Sequence, residues 1–293
     1  MSEVKKMEHI FIMNDIKKLH EFETHIHTIM ESYDYKIIYA HSRQEIIDRI
    51  KKLKNPSRIY AVGGDGTMNI FIQAMVHTDH ELVVIPLGTG NDFCRVLTNK
   101  KNPVQLLEQS LTCSCQKVDT IFMSDLYYIN SACFGLDSII ATHVHDTPHV
   151  PLIPESKSYI VSILQHVFQY AYDEVEVKSG GQLLYRGPVT LCTVNNGQYY
   201  GGGFQITPQA KINDGYMDIC IVEKIPKVKI PYVLTFLLRH QLHKRKEVHY
   251  YQVKDAHVIA KNSCNMDGEE VIKKEYDFQI IPKSLNLVVY KKL

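Results

Sequence analysis

The chain lacks an excess of charge of either sign: 33 basic side chains stand against 32 acidic ones, for a formal charge of +1. No global field therefore invites nucleic acid, and recognition of anions has to be local. It also lacks any run of about 18 apolar residues, the length that a membrane-spanning helix needs. Its first residues, MSEVKKMEH, carry no apolar stretch of the kind a secretory leader requires. These absences predict a cytoplasmic protein whose contact with membranes is peripheral. Cysteine is present without a pattern. Seven Cys, an odd number without regular spacing, suit reduced thiols better than a disulfide scaffold, and Cys113 and Cys115 have no second pair at zinc spacing. Repeats of solenoid period and low-complexity tracts are absent as well.

What is present is enough for two domains of ordinary size: 293 residues, 45% of them hydrophobic. HIFIM at 9–13 and YKIIYA at 35–40 read as strands, with helical apolar spacing between them at Ile16, Leu19, Phe22, Ile26, Ile29 and Met30. Ser42 and Glu45 form a capping-box pattern that opens a second helix. Strands at 57–62 and 81–85 enclose a third helix at 68–76. Strands alternating with helices predict a doubly wound parallel sheet whose ligands lie off the strand carboxyl ends.

From about Cys115 the texture changes to strand after strand, with LYYINSACF, VTLCTVNN, YDFQII and LNLVVYK each reading as one strand. EVEVKS and QLLYRG, joined by Gly180 and Gly181, carry a two-residue hairpin signal. Helical candidates are confined to 155–172 and 228–240. The expectation is an α/β nucleotide-binding domain over 1–120 and a largely antiparallel β-sandwich domain over 121–283, with a last strand at 284–293 returning to the first domain. The site would lie in the cleft between the two.

Residues 59–95 hold two copies of one device, a β-branched apolar run ending in a glycine loop with an Asp and a Thr. The first loop is Gly63, Gly64, Asp65, Gly66, Thr67, and the second is Gly88, Thr89, Gly90, Asn91, Asp92. Glycines at a strand end let backbone N–H groups approach a phosphate, and the following helix adds its positive end. Carboxylates beside those amides would repel a bare phosphate, so a divalent cation is implied. Without a further Lys, GGDGT is no Walker A loop. Its plain reading is a tight turn with Asp65 as a helix cap, but two such loops within thirty residues are hard to explain as turns alone.

GGDGTMN followed by PLGTGNDFCR resembles the diacylglycerol kinase catalytic family, which includes soluble bacterial lipid kinases and sphingosine kinases. NAD kinases and phosphofructokinases share the GGDG element, so the P-x-G-T-x-N-D-F form of the second loop selects the lipid-kinase branch. NNGQYYGGGFQITPQAKINDGYMDICIV at 195–222 and NMDGEE at 265–270 resemble later family segments in the same order. The resemblance implies an ATP-phosphate loop at Gly64, Asp65, Gly66, Thr67 and Asn69, joined by Thr89 of the second loop. Asp65 and Asp92 would bind or orient Mg²⁺, Arg95 would steady charge on the transferred group, and Glu269 falls on the catalytic base. A structural Mg²⁺ is implied at Asp214, with carbonyl oxygens of Lys211 and Tyr216. The turn Asn213, Asp214, Gly215 also reads as an ordinary hairpin turn. Asp119 and Lys157 fall near family positions of a charged network.

The chain departs from the family after its first strand, where an N-P-x-x-G loop that contacts ATP is replaced by NDIKK at 14–18. Three His at 142–149 suit a transition metal or, more plainly, a solvated loop. The basic run RHQLHKRK at 239–246 suits a helix end in solvent or anionic lipid headgroups.

The function expected is an ATP- and Mg²⁺-dependent lipid kinase, with diacylglycerol the first acceptor. An NAD kinase-like phosphotransferase and a non-catalytic lipid-binding regulator are the alternatives. The partners expected are ATP, the lipid and an anionic membrane surface, with no nucleic acid; the sequence leaves a homodimer open.

Overall fold

A computed structural model describes residues 7–13, 17–88, 90–100, 102–135 and 171–290. Thr89, Lys157, the histidines of 142–149 and all but the last two residues of the helix expected at 155–172 lie outside these. So does the start of the 14–18 loop, at 14–16. The chain divides into two compact units, residues 1–118 with 283–293, and residues 119–282.

In the first unit, β1 (Glu8–Met13), α1 (Lys17–Met30), β2 (Tyr35–Tyr39), α2 (Arg43–Lys51), β3 (Ser57–Gly63), α3 (Asp65–Met75), β4 (Glu81–Pro86), α4 (Asp92–Leu97) and α5 (Pro103–Ser110) follow in turn. The strands are parallel, in the order β2-β1-β3-β4. β1, β3 and β4 are almost wholly buried, as parallel strands with helices on both faces should be. Phe11 stacks on Tyr60 at 4.1 Å between ring centroids in this core. The capping box forms as its pattern predicts: Ser42 Oγ accepts the Glu45 N–H at 3.1 Å, and Glu45 Oε2 accepts the His41 N–H at 3.0 Å.

The second unit holds most of β5 (Cys115–Met123), then β6 (Leu126–Tyr128), β7 (Ser131–Gly135), β8 (Asp173–Ser179), β9 (Gln182–Asn195), β10 (Tyr199–Tyr200), β11 (Phe204–Gln205), β12 (Met217–Glu223), α6 (Ile230–Leu238), β13 (Val248–Val253), β14 (Asp255–Ala260), β15 (Cys264–Met266) and β16 (Glu269–Val271). The start of β17 (Glu275–Val288) also belongs to it, and the pairings of β7 with β9 and β15, β8 with β9 and β14, β12 with β9 and β13, β14 with β17, and β15 with β16 are antiparallel. Gly180 and Gly181, at φ of 54° and 77°, turn β8 into β9 as a two-residue hairpin. Alternation along β7, β9 and β12 sends Phe134, Cys192 and Ile219 into one apolar cluster, while Cys133, Leu191 and Cys220 enter a second, which α6 covers with Ile230, Val233 and Leu234. Both faces of these strands are therefore buried.

Three stretches differ from the sequence expectation. LYYINSACF is two strands, because the amides of 129–131 turn to the Asp267 carboxylate instead of a ladder. QLLYRG and VTLCTVNN are one strand, in which Pro188 costs a donor yet its carbonyl accepts the Lys224 N–H at 3.1 Å. YDFQII and LNLVVYK are also one strand, β17, which continues through Lys283 in a left-handed conformation at φ 52°. Its far part, Asn286 and Leu287, pairs in parallel with β4 in the first unit.

His80, just before β4, is buried and its Nδ1 accepts the Ser57 N–H at 3.1 Å. Burial holds its pKa below the ordinary value near 6.5. A depressed folded pKa supports the fold above the unfolded value, and that support is lost as pH falls. In urea unfolding the advantage of wild type over His80→Gln is expected to shrink between about pH 7.5 and about pH 5.5. A constant difference would contradict this placement of the proton.

Candidate active site

The sequence places two strand-to-helix junctions side by side, and the register of β3 on β4 pairs Gly63 with Pro86 at their carboxyl ends. At the first junction Gly64 caps α3 in an extended conformation, so that Asp65 already belongs to the helix. At the second, Asn91 adopts φ 49°, ψ 45° and leads into α4. The loops meet backbone to backbone. A Cβ on Gly88 would lie 2.5 Å from Gly64 Cα and 3.1 Å from its nitrogen. Gly63 O accepts the N–H groups of Leu87 at 2.9 Å and Gly88 at 3.3 Å. No residue with a side chain fits at Gly88 without pushing the loops apart.

Carboxylates complete the junction. Asp65 Oδ2 accepts the Asp92 N–H at 3.0 Å and its Oδ1 accepts the Phe93 N–H at 3.2 Å, so Asp65 caps the helix of the other loop. Asp92 is buried and forms an ion pair with Arg95 Nε at 3.4 Å, while Arg95 Nη2 donates to Gly90 O at 3.2 Å. Both acids converge on Gly90: a Cβ there would lie 3.3 Å from Asp65 Oδ2 and 3.9 Å from Asp92 Oδ2. Burial pushes the Asp65 pKa up, against the Asp92 and Phe93 amides and the Arg95 charge. A cradle open over one glycine, with two crowded carboxylates, fits a divalent cation whose charge would offset theirs.

The remaining loop residues fall into place around this. Thr67 folds back over Gly63, where a Cβ would meet its Oγ1 at 2.4 Å, and Gly66 is exposed with open space around it. Asn69 is fully buried, its Oδ1 accepting from Arg43 Nη2 at 3.2 Å and from Gln73 Nε2 at 3.4 Å. Its side chain thus ties α3 to α2. Arg43 is absent from any motif, and only its place after the Ser42 cap hinted at a position near α3.

In the second unit, Glu269 follows a two-residue turn, Asp267 and Gly268, at φ of 46° and 91°. That turn is clamped. Buried Asp267 accepts the N–H groups of Ile129 at 3.2 Å, Asn130 at 3.4 Å and Ser131 at 2.8 Å, and donates its own N–H to Ser131 O at 2.9 Å. Asn265 Oδ1 accepts the Gly268 N–H at 3.1 Å. Sequence reading saw Asp267 only as a letter of the motif, because its partners lie 136 to 138 positions away.

A separate turn carries the other expected metal ligands. Asp214 Oδ1 accepts the Tyr216 N–H at 3.1 Å, and its Oδ2 accepts from Gln252 Nε2 at 3.2 Å. Buried Asp119 holds this turn, accepting the Gly215 N–H at 2.7 Å. Lys211 and Tyr216 are exposed beside it. Asp218, four residues on, is buried, with the Gln209 amide beside its carboxylate. Burial pushes it up to about 6, with the Asp214 charge adding to the rise and the Gln209 amide opposing it. A buried carboxylate near Asp214, whose charge raises the cost of ionising it, fits a cation at this turn. Among the described residues no three His, Cys, Asp or Glu side chains are grouped to hold a metal, so an ion here would draw on main-chain carbonyls and water.

Residues 11–123 match the diacylglycerol kinase catalytic domain family, and residues 130–289 match the YegS C-terminal NAD kinase beta sandwich-like domain family. A Shewanella frigidimarina protein named "Probable lipid kinase YegS-like" is 26% identical over 80% of this chain and 77% of its own length. A diacylglycerol kinase of Staphylococcus saprophyticus is 28% identical over 74% of this chain and 71% of its own. Among solved structures, a diacylglycerol kinase from Bacillus anthracis has a TM-score of 0.77 at 18% identity, covering 97% of each chain. An NAD kinase from Archaeoglobus fulgidus in complex with ATP has a TM-score of 0.53 at 14% identity, over 97% of this chain and 94% of its own. At these identities the structural likeness speaks for the fold alone.

Asp267→Ala would strand three buried amides at once. The expected cost is about 3 kcal/mol of stability, read by chemical unfolding, together with faster amide exchange at 129–131 and at Gly268. Unchanged exchange there would show that the turn stands without its clamp.

Proposed function

The chain belongs to the diacylglycerol kinase catalytic-domain family, with the YegS-type C-terminal domain, and from that membership we propose that it transfers the γ-phosphate of ATP to a lipid hydroxyl. Diacylglycerol is the first acceptor, giving phosphatidic acid. One observation carries the reading at the level of chemistry: two glycine loops meet backbone to backbone, with Asp65, Asp92 and Arg95 converging beside Gly90. The amides of the first α3 turn lack partners inside the helix and suit phosphate oxygens, as do the glycine N–H groups before it.

Asp65 and Asp92 would hold Mg²⁺, which would supply charge to neutralise that of the transferred phosphate. Gly64, Gly66, Thr67, Asn69 and Thr89 belong to the same nucleotide loops, and the buried Asn69 also fixes α3 through its Oδ1. Arg95 steadies charge on the transferred group. Glu269 takes the proton of the acceptor hydroxyl as that oxygen bonds to the γ-phosphorus, the bond to the bridging oxygen breaks, and ADP leaves. Lys211, Asp214 and Tyr216 hold a second, structural Mg²⁺. The reading includes a cytoplasmic protein that visits the inner face of an anionic membrane. One observation supports it: all seven cysteines are free, as a reducing compartment keeps them.

Purified protein with radiolabelled ATP and a panel of lipid acceptors tests the proposal. Label is expected in phosphatidic acid, dependent on Mg²⁺, and Glu269→Gln is expected to lower the rate by about a hundredfold or more. Label on NAD instead would establish the NAD kinase-like alternative, and an equally active Glu269→Gln would remove Glu269 as the base.

A further inference from the structure

Helix α6 is apolar on two faces. Ile230, Val233 and Leu234 pack into the second core cluster of the β-rich unit. Away from that face Tyr232 stands 56% exposed and Val228, in the turn that enters the helix, 76%, while Leu238, one turn beyond Leu234, is 49% exposed at the edge of the packed face. Val228 and Tyr232, four apart, form a ridge along one line of the helix, and Leu238, six residues beyond Tyr232 and about 120° round from it, flanks that ridge at the helix's C-terminal end. A helix apolar all round belongs in a core; this one is at the surface. They are also half of the large hydrophobic side chains exposed among the described residues, which makes the concentration more than scattered surface apolarity.

The ridge is framed by cations. The twenty residues 227–246 contain six Lys or Arg and no Asp or Glu, in a chain whose whole formal charge is +1. Lys229, Arg239, Lys244 and Lys246 are exposed. Arg245 lies over the rings of Tyr232 at 5.6 Å and Phe236 at 5.1 Å, and the two rings meet edge to face at 5.2 Å. Its charge is answered by Glu247 at 3.0 Å, which leaves the lysines to face outward. An aromatic and aliphatic ridge between basic flanks is the make-up of a helix that lies in a membrane interface, apolar side chains among acyl chains and cations at the phosphates. A second copy of the chain is the poorer occupant, since a two-fold contact would set this cationic surface against itself.

We propose that the α6 ridge, with Val228, Tyr232 and Leu238 inserted and the flanking lysines on the headgroups, is the surface by which the protein docks on an anionic bilayer. The inference rests on the lipid-kinase reading only for its purpose. Its chemistry stands on the exposed ridge and the charge.

The test is co-sedimentation of the full chain, without nucleotide, with vesicles of phosphatidylcholine alone and of phosphatidylcholine mixed with phosphatidylglycerol. Wild type is expected to bind the mixed vesicles and to ignore the neutral ones. Removing both Lys244 and Lys246 as Ala is expected to weaken binding roughly twenty-five-fold, about fivefold per charge, with the deficit closing at high salt. Tyr232→Ser with Leu238→Ser is expected to weaken it at least tenfold at every salt concentration, with an unchanged melting temperature. Variants that bind as wild type, a wild type that ignores anionic vesicles, or a wild-type dimer that Leu238→Ser splits would each overturn the proposal. Kinase activity on detergent-dispersed lipid is read separately. Its loss would count against the lipid-kinase reading while vesicle binding still judged the surface.

Discussion

The structure of the first unit depends on one close approach, the contact of Gly64 and Gly88. Two strand-to-helix junctions from neighbouring parallel strands can share a site only if their backbones touch, and here they touch because Gly88 has no side chain and a Cβ on Gly64 would already press the other loop at 3.3 Å. Everything chemical at this place follows from that contact. Gly63 O takes the amides of the second loop, Asp65 reaches across to cap α4, and Asp92 and Arg95 come to rest beside Gly90. The acidic group nearest the proposed phosphates is thus first a structural cap and then a candidate metal ligand.

The second unit solves a different problem. Its central strands are buried on both faces, so the loops at their ends must satisfy polar groups without help from water. Asp267 does this for three amides and Asp119 for the Gly215 N–H. Each clamp fixes a turn that carries a residue of the proposed chemistry, Glu269 in one case and Asp214 in the other. A carboxylate shared among several backbone N–H groups is a rigid support, because each bond is charge-assisted and the loss of any one strands a buried donor.

Much of the fold was legible because its signals are local. The alternation of strands and helices, the capping box of Ser42 and Glu45 and the Gly180-Gly181 hairpin are written within a few residues of one another. The two glycine loops were legible for the same reason. What stayed hidden depends on distance along the chain. Asp65 read as a cap for its own helix, whereas it caps a helix that starts 27 positions later. Asn69 read as part of the phosphate loop, and the bonds that Arg43 and Gln73 make to its buried Oδ1 were announced by no local pattern. Asn130 gave no sign of breaking a strand, because the carboxylate that draws its amide away lies 137 positions on. Continuous strands such as β17 read as two because Pro282 and Lys283 look like a turn, and only the pairing of their two halves makes one strand of them.

The central claim is that the paired glycine loops cradle the phosphates of Mg-ATP, and Gly90 tests it most directly. A side chain there enters the space that Asp65 and Asp92 enclose, without touching the Gly64–Gly88 contact. Calorimetric titration with Mg-ATP should show binding to wild type and none to a folded Gly90→Val protein. Equal binding by the two proteins, or no binding by wild type, would contradict the account.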